Sequence, residues 1–195
     1  MSEIISEQEN FFELPKDVFF NPKEERKFLQ CVKSMVRTSY EYKEWVKFVK
    51  FNVGLDTCSF TGEHSGEVTI ELHHHPISMG NIIKIIYDAM SNNTNITVIQ
   101  STEIVKSVLD LHKQNKIGYV LLVTTLHEKF HNGFLQIPME YVNGNWNTLL
   151  SDYDVNDDIM EVVNKYTSIS IASAATQGWI LNRDLHGVLD GVEYR

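Results

Sequence analysis

A chain of 195 residues with 43% apolar and 22% charged residues has an ordinary globular composition and enough length to bury a core in one domain. Its net charge of -9 argues against non-specific nucleic-acid binding over the whole surface. No run approaches the roughly 18 apolar residues of a membrane span, and the opening Met1-Ser-Glu-Ile-Ile-Ser-Glu7 lacks a signal peptide's basic and apolar regions, so a cytoplasmic protein with no membrane partner is expected.

Residues 1–19 alternate acidic and aromatic positions, with Phe11, Phe12, Phe19 and the adjoining Phe20 as anchors, and read as an irregular arm. Asn21-Pro22 opens a helix to about Ser34, with proline at the first helical position and Glu24 and Glu25 where the helix dipole favours them. A second helix starts at Thr38 or Ser39, where Thr38-x-x-Glu41 offers a capping box. Tyr42, Trp45, Val46 and Val49 form its buried stripe, while Lys43, Lys47 and Lys50 fall on a stripe of their own. From Phe20 to Lys50 eight Lys or Arg face four Glu, whereas from Gly133 to Arg195 nine acidic residues face three basic ones. The basic half makes Arg37, Lys43, Lys47 and Lys50 candidates for phosphate contact; the commoner meaning of such an asymmetry is two solvated faces.

Asn52 to Asp56 breaks the second helix, and Glu63-His-Ser-Gly66 is a turn between two short extended segments. Thr69-Ile-Glu-Leu-His-His-His75 alternates like a half-buried strand, delivers three imidazoles to its end and stops at Pro76. A nearly all-apolar helix over Met79 to Ser91 follows, then a strand over Ile96 to Ile99 and a helix capped by Ser101 and running to about Gln114. Lys116-Ile-Gly118 turns the chain into a continuous apolar strand from Tyr119 to Thr125. Leu126 to His131 is a short helix stopped by Asn132-Gly133. Beyond it lie a helix from about Val155 to Tyr166, a strand-like Thr167 to Ala172 and a Gly/Trp-bearing end. Asp152 to Asp158 resembles a calcium loop only superficially, since its sixth position is not glycine and Val163 stands where a bidentate Glu is needed; it reads as a helix N-terminal charge cluster. Two cysteines, Cys31 and Cys58, read as reduced thiols.

Five of the eight histidines fall in two groups, the triplet His73, His74 and His75 and the i, i+4 pair His127 and His131. Together they look like a metal site built from a strand end and a helix. Separately they are a solvated strand end and a helix-surface pair.

The order of these pieces resembles the HNH endonuclease family, especially its phage-type members. The residues that carry the resemblance are Tyr42-Lys-Glu-Trp45, Cys58-Ser-Phe-Thr61-Gly62, Ile70-Glu-Leu-His73-His74, the strand Tyr119 to Val123, and His127-Glu-Lys-Phe-His131-Asn132-Gly133, covering roughly residues 37–133. The resemblance implies an α+β fold with a ββα-metal core, N-terminal helices, a helical insertion over 77–117 between the two core strands, and an α/β C-terminal extension over 134–195. Residues 1–36 would form an arm and helix, and 37–133 the HNH-like domain.

It further implies a metal-dependent DNA endonuclease in the host cytoplasm, hydrolysing phosphodiester bonds with one divalent ion, Mg, Mn, Ni or Zn. His73, His127 and His131 would hold the metal and His74 would be the general base, with His75 as the alternative base or an accident of the strand end. DNA would be the partner. The family's asparagine aligns with Gly118, and its four zinc-binding cysteines align with Cys58, Thr61, Val123 and Leu126, so no structural zinc held by four cysteines is expected. Those departures motivate a second reading, a catalytically degenerate HNH scaffold that binds a protein partner through the insertion or the acidic C-terminal part.

Overall fold

Four of the longer helices begin at a side chain that accepts hydrogen bonds from its own first turn, the arrangement that satisfies otherwise orphaned backbone donors. In the computed structural model, which describes residues 12–170 and Ser173, Asn21 caps α1 (Pro22–Thr38) and Ser39 caps α2 (Tyr40–Lys47). Ser78 caps α3 (Met79–Ser91) and Asn156 caps α7 (Asp157–Thr167). The cap of α2 is therefore Ser39, whose Oγ accepts from Tyr42 N at 3.2 Å. Thr38, the expected capping-box residue, instead ends α1 and donates back to the Ser34 carbonyl at 2.8 Å, which is why α1 runs a turn past Ser34. The helix α4 (Ser101–Lys113) starts at Gln100 without a side-chain cap, and the Ser101 hydroxyl is buried instead of capping.

The fold is α+β. Among the described residues there are seven α-helices and two two-stranded antiparallel sheets. One sheet pairs β1 (Glu13–Pro15) with β3 (Val98–Gln100), so this part of the expected irregular arm is a strand. The other pairs β2 (Ile70–His74) with β4 (Tyr119–Val123), with His73 opposite Val120 and His74 opposite Tyr119. The helix α5 (Thr124–His131) follows β4 directly, and the short α6 (Asn147–Asp152), which no periodicity announced, lies between α5 and α7. The expected strand from Thr167 is not formed as far as Ser170, since Thr167 closes α7. The expectations for residues 1–11, 171–172 and the Gly/Trp-bearing end lie outside the described residues.

Two hydrophobic clusters meet along the β2–β4 pair. The larger packs Phe28, Val32 and Val36 of α1 against Ile82, Ile83, Ile85 and Ile86 of α3 and Ile104, Val108 and Leu111 of α4. Each such side chain contributes roughly 1.5–3 kcal/mol on full burial, so the helices of segment 77–117 form the centre of this core. The smaller cluster holds Cys58, Phe60, Ile70, Val120, Leu122, Leu126 and Ile137. Cys31 and Cys58 are both free thiols.

Gly118 sits where the two strands close. A Cβ there would lie 2.1 Å from the His75 carbonyl oxygen and 3.0 Å from Trp146 Cβ, so only glycine fits. The Gly118 carbonyl accepts from His75 N at 3.0 Å, extending the β2–β4 ladder one residue past the strand.

Candidate metal centre

Successive side chains of a strand point to opposite faces, so the ladder sorts the residues of β2 into two sets. Glu71 and His73, with His75 beyond them, turn towards α5. Leu72 and His74 turn towards the larger core. The helix α5 lays His127 and His131, one turn apart, across the first set.

One ligand nitrogen from each of His73, His127 and His131 lies within 4.8 Å of the others. The His127 and His131 Nε2 atoms are 3.0 Å apart. The three ring centroids are separated by 4.6 to 5.2 Å. A tetrahedral ion with Zn–N distances of about 2.0–2.1 Å holds its nitrogens roughly 3.3 Å apart, so the trio stands near ligand spacing. The site grades from buried to open: His73 is 8% exposed, His127 intermediate and His131 exposed.

The orientation of His127 is fixed from behind. Its Nδ1–H donates to the Glu71 carboxylate, which also accepts from Thr124 Oγ1 at 3.2 Å, and this leaves Nε2 as the acceptor that faces the other rings and takes a hydrogen bond from His131 Nε2. A carboxylate behind a ligating imidazole fixes the tautomer and raises the basicity of the ligand. The hydrogen bond from His127 holds the Glu71 carboxyl below the usual carboxylate range. Burial, then the neighbouring imidazoles of His127, His75 and His131, push His73 down to about 3. Burial and the charges of His127, Arg37 and Lys33 lower His131. His73 and His131 are therefore neutral at pH 7, as cation binding requires.

His74 stands on the other side of the strand. Its Nε2 lies 2.9 Å from Nε2 of His112 on α4, while His112 Nδ1–H donates to the Val108 carbonyl at 2.7 Å. Because that carbonyl only accepts, His112 Nε2 is an acceptor and His74 Nε2–H the donor. Tyr42 stacks on His74 with 6.3 Å between centroids, and Trp45 meets His112 edge-on at 4.6 Å. The pair is buried and hydrogen-bonded to itself and to the backbone, and the geometry does not bring His74 to the His73 cluster as a base. His75, on the cluster side, is 1% exposed, and its Nε2 has no hydrogen-bond partner.

The candidate phosphate-binding residues do not form one free stripe. Lys47 pairs with Glu44 at 2.7 Å, and Lys50 Nζ donates to the Ile70 carbonyl from a partly buried position. Arg37 and Lys43 border a shallow groove of about 430 Å3 with Tyr40 and Tyr42. Two residues that matter to the imidazoles were missed from sequence. Glu71 is two places before His73 and shares its strand face. His112 is four residues after Val108, in register with the buried stripe of α4.

The model of a family described as bacteriophage G278-like virion protein matches residues 2–188. No curated protein and no solved structure matches the chain. The family match overturns the HNH assignment, and with it the endonuclease function and the degenerate-HNH alternative. The physical reason is plain: strand, helix and paired imidazoles are a solution that any chain can reach, and their order does not carry ancestry. The cytoplasmic expectation is corrected by the same match, because a virion protein is part of the phage particle. The phage association of the resemblance agrees with it.

Proposed function

The chain belongs to the bacteriophage G278-like virion protein family, and from that premise we propose that it is a component of the phage particle whose β2–β4–α5 unit holds a transition-metal ion. The observation that carries the metal is the convergence of His73, His127 and His131 within 4.8 Å, with Glu71 behind His127. Three imidazoles suit zinc or nickel far better than magnesium, which prefers oxygen ligands and keeps its waters. The protein supplies nitrogen donors, a fixed tautomer at His127 and a partly water-excluded wall at His73. When bound, the ion would cross-link β2 to α5, adding to the His127–Glu71 hydrogen bond that already joins them.

Two measurements test this. Mass spectrometry of purified particles is expected to detect the chain as a constituent; finding it only in the host lysate would refute the particle assignment. Metal analysis of the purified chain after dialysis against zinc is expected to give one equivalent in the wild type and far less in His127→Ala. Equal contents in both would remove the metal centre.

A further inference from the structure

The three-imidazole cluster leaves one nearby donor unaccounted for. His75 is two residues beyond His73 on the same strand face, and two such residues are roughly 6.6 Å apart along a strand, a separation that two imidazoles can bridge to one ion. The His75 ring centroid lies 6.1 Å from that of His73, only about an ångström beyond the spacing within the trio. The ring is 1% exposed, yet its Nε2 has no hydrogen-bond partner, and its neighbours are the rings of Phe130 and Tyr166, at 5.6 and 4.7 Å. A buried nitrogen without a partner is costly, and such groups are rare in native proteins. No side-chain hydrogen bond holds the ring where it is, so only packing resists its turning towards the cluster.

We propose that His75 is the fourth imidazole of the centre, drawn in when the ion binds from the buried side opposite exposed His131. This rests on the metal reading above and deepens it. Four protein ligands make a closed, structural site, in contrast to a three-ligand site with an open position. Gly118 serves this arrangement, because only a residue without Cβ lets the His75 backbone approach the end of β4.

The test uses the full chain loaded with zinc or cobalt. X-ray absorption on the zinc form is expected to report four nitrogen neighbours, and the cobalt form a tetrahedral visible spectrum. His75→Phe keeps a ring between Phe130 and Tyr166 but removes the donor. It is expected to lower zinc affinity at least 10-fold by chelator competition, to replace one nitrogen neighbour with oxygen, and to raise the melting temperature of the metal-free chain. That crossed result, a firmer apo protein with weaker metal binding, is one that a purely structural role for His75 does not give. Three nitrogens and one oxygen in the wild type, or unchanged zinc affinity in His75→Phe, would overturn the inference while leaving the three-histidine centre intact. Should the wild type bind no zinc at all, both readings fall together. If His75→Phe does not fold, His75→Gln replaces it, with the same loss of a nitrogen neighbour expected.

Discussion

The two faces of β2 carry the same chemical group to opposite ends. On one face His74 and His112 stand 2.9 Å apart, and on the other side of the sheet His127 and His131 stand 3.0 Å apart. The first pair has two members, a backbone carbonyl fixing its tautomer and aromatic walls from Tyr42 and Trp45. The second has a third imidazole within reach, a carboxylate in place of the carbonyl, and an edge open to solvent. An imidazole pair is therefore not a site by itself. A buried pair whose imidazoles bond each other and a backbone carbonyl is a polar piece of core, whereas a third donor, a charged partner behind and access for an ion are what the proposed binding centre adds.

Acid acts on the buried imidazoles of both faces, and the His74–His112 pair is the part of that response that can be removed without touching the cluster. Burial pushes His112 down to about 4 and His74 well below its ordinary value, with the charge of His112 adding to the latter. Unfolded imidazoles protonate near 6.5, so between that value and about 4 the unfolded state binds more protons and stability falls as pH falls. The stability these groups confer is complete above about 6.5, and His112 alone accounts for roughly 3 kcal/mol across the window. Urea unfolding of the metal-free chain at pH 7, 5.5 and 4.5 is expected to show the decline. The doubly apolar variant His74→Leu with His112→Leu is expected to reduce the decline without abolishing it, because His73 and His75, held at about 3 and about 4 by burial, still protonate more readily in the unfolded chain; zinc affinity is expected to be unchanged, since neither substituted residue faces the cluster.

Removing a ligand comes next. His127→Ala is expected to weaken zinc binding more than about 100-fold, beyond the 10–100-fold typical of groups one shell further out, with the circular dichroism spectrum of the metal-free chain unchanged. Glu71→Gln belongs to that outer class and is expected to weaken binding about 10-fold by chelator competition. A loss as large as that of His127→Ala would mean the carboxylate is itself a ligand. The smallest effect is a control away from both faces. Ser39→Ala removes the cap of α2 and is expected to lower stability by about 1 kcal/mol in urea unfolding, with no change in zinc affinity.

Much of the fold was legible in the sequence where local chemistry decides. Asn21-Pro22 set the start of α1, the run of isoleucines marked α3 from Met79 to Ser91, and the apolar run from Tyr119 marked β4. Caps were legible only to within a residue, because Thr38 and Ser39 are equally good candidates until the backbone chooses one. The β1–β3 pairing was not legible, since it depends on Leu14 meeting Ile99 across more than 80 residues of chain. The candidate site was half legible. The i, i+4 spacing put His127 and His131 on one face, but treating His73 and His74 as a functional pair ignored the alternation that defined the strand in the first place. Applied to the triplet, that rule groups His73 with His75 and sends His74 to the core. Membership of a virion family left no local signature in the residues.

The gradient of exposure across the proposed centre also sets the kinetics expected of it. His131 lies at the surface on the last turn of α5, which ends at Asn132 and Gly133 with φ +77°. An ion held by the proposed centre would therefore reach or leave it by rotation of one solvated side chain, without separation of β2 from β4. Exchange with a competing chelator should then proceed on the timescale of side-chain motion and dissociation of single bonds, far faster than global unfolding. A centre built this way can be filled after the chain has folded, and even after it has taken its place in a larger assembly.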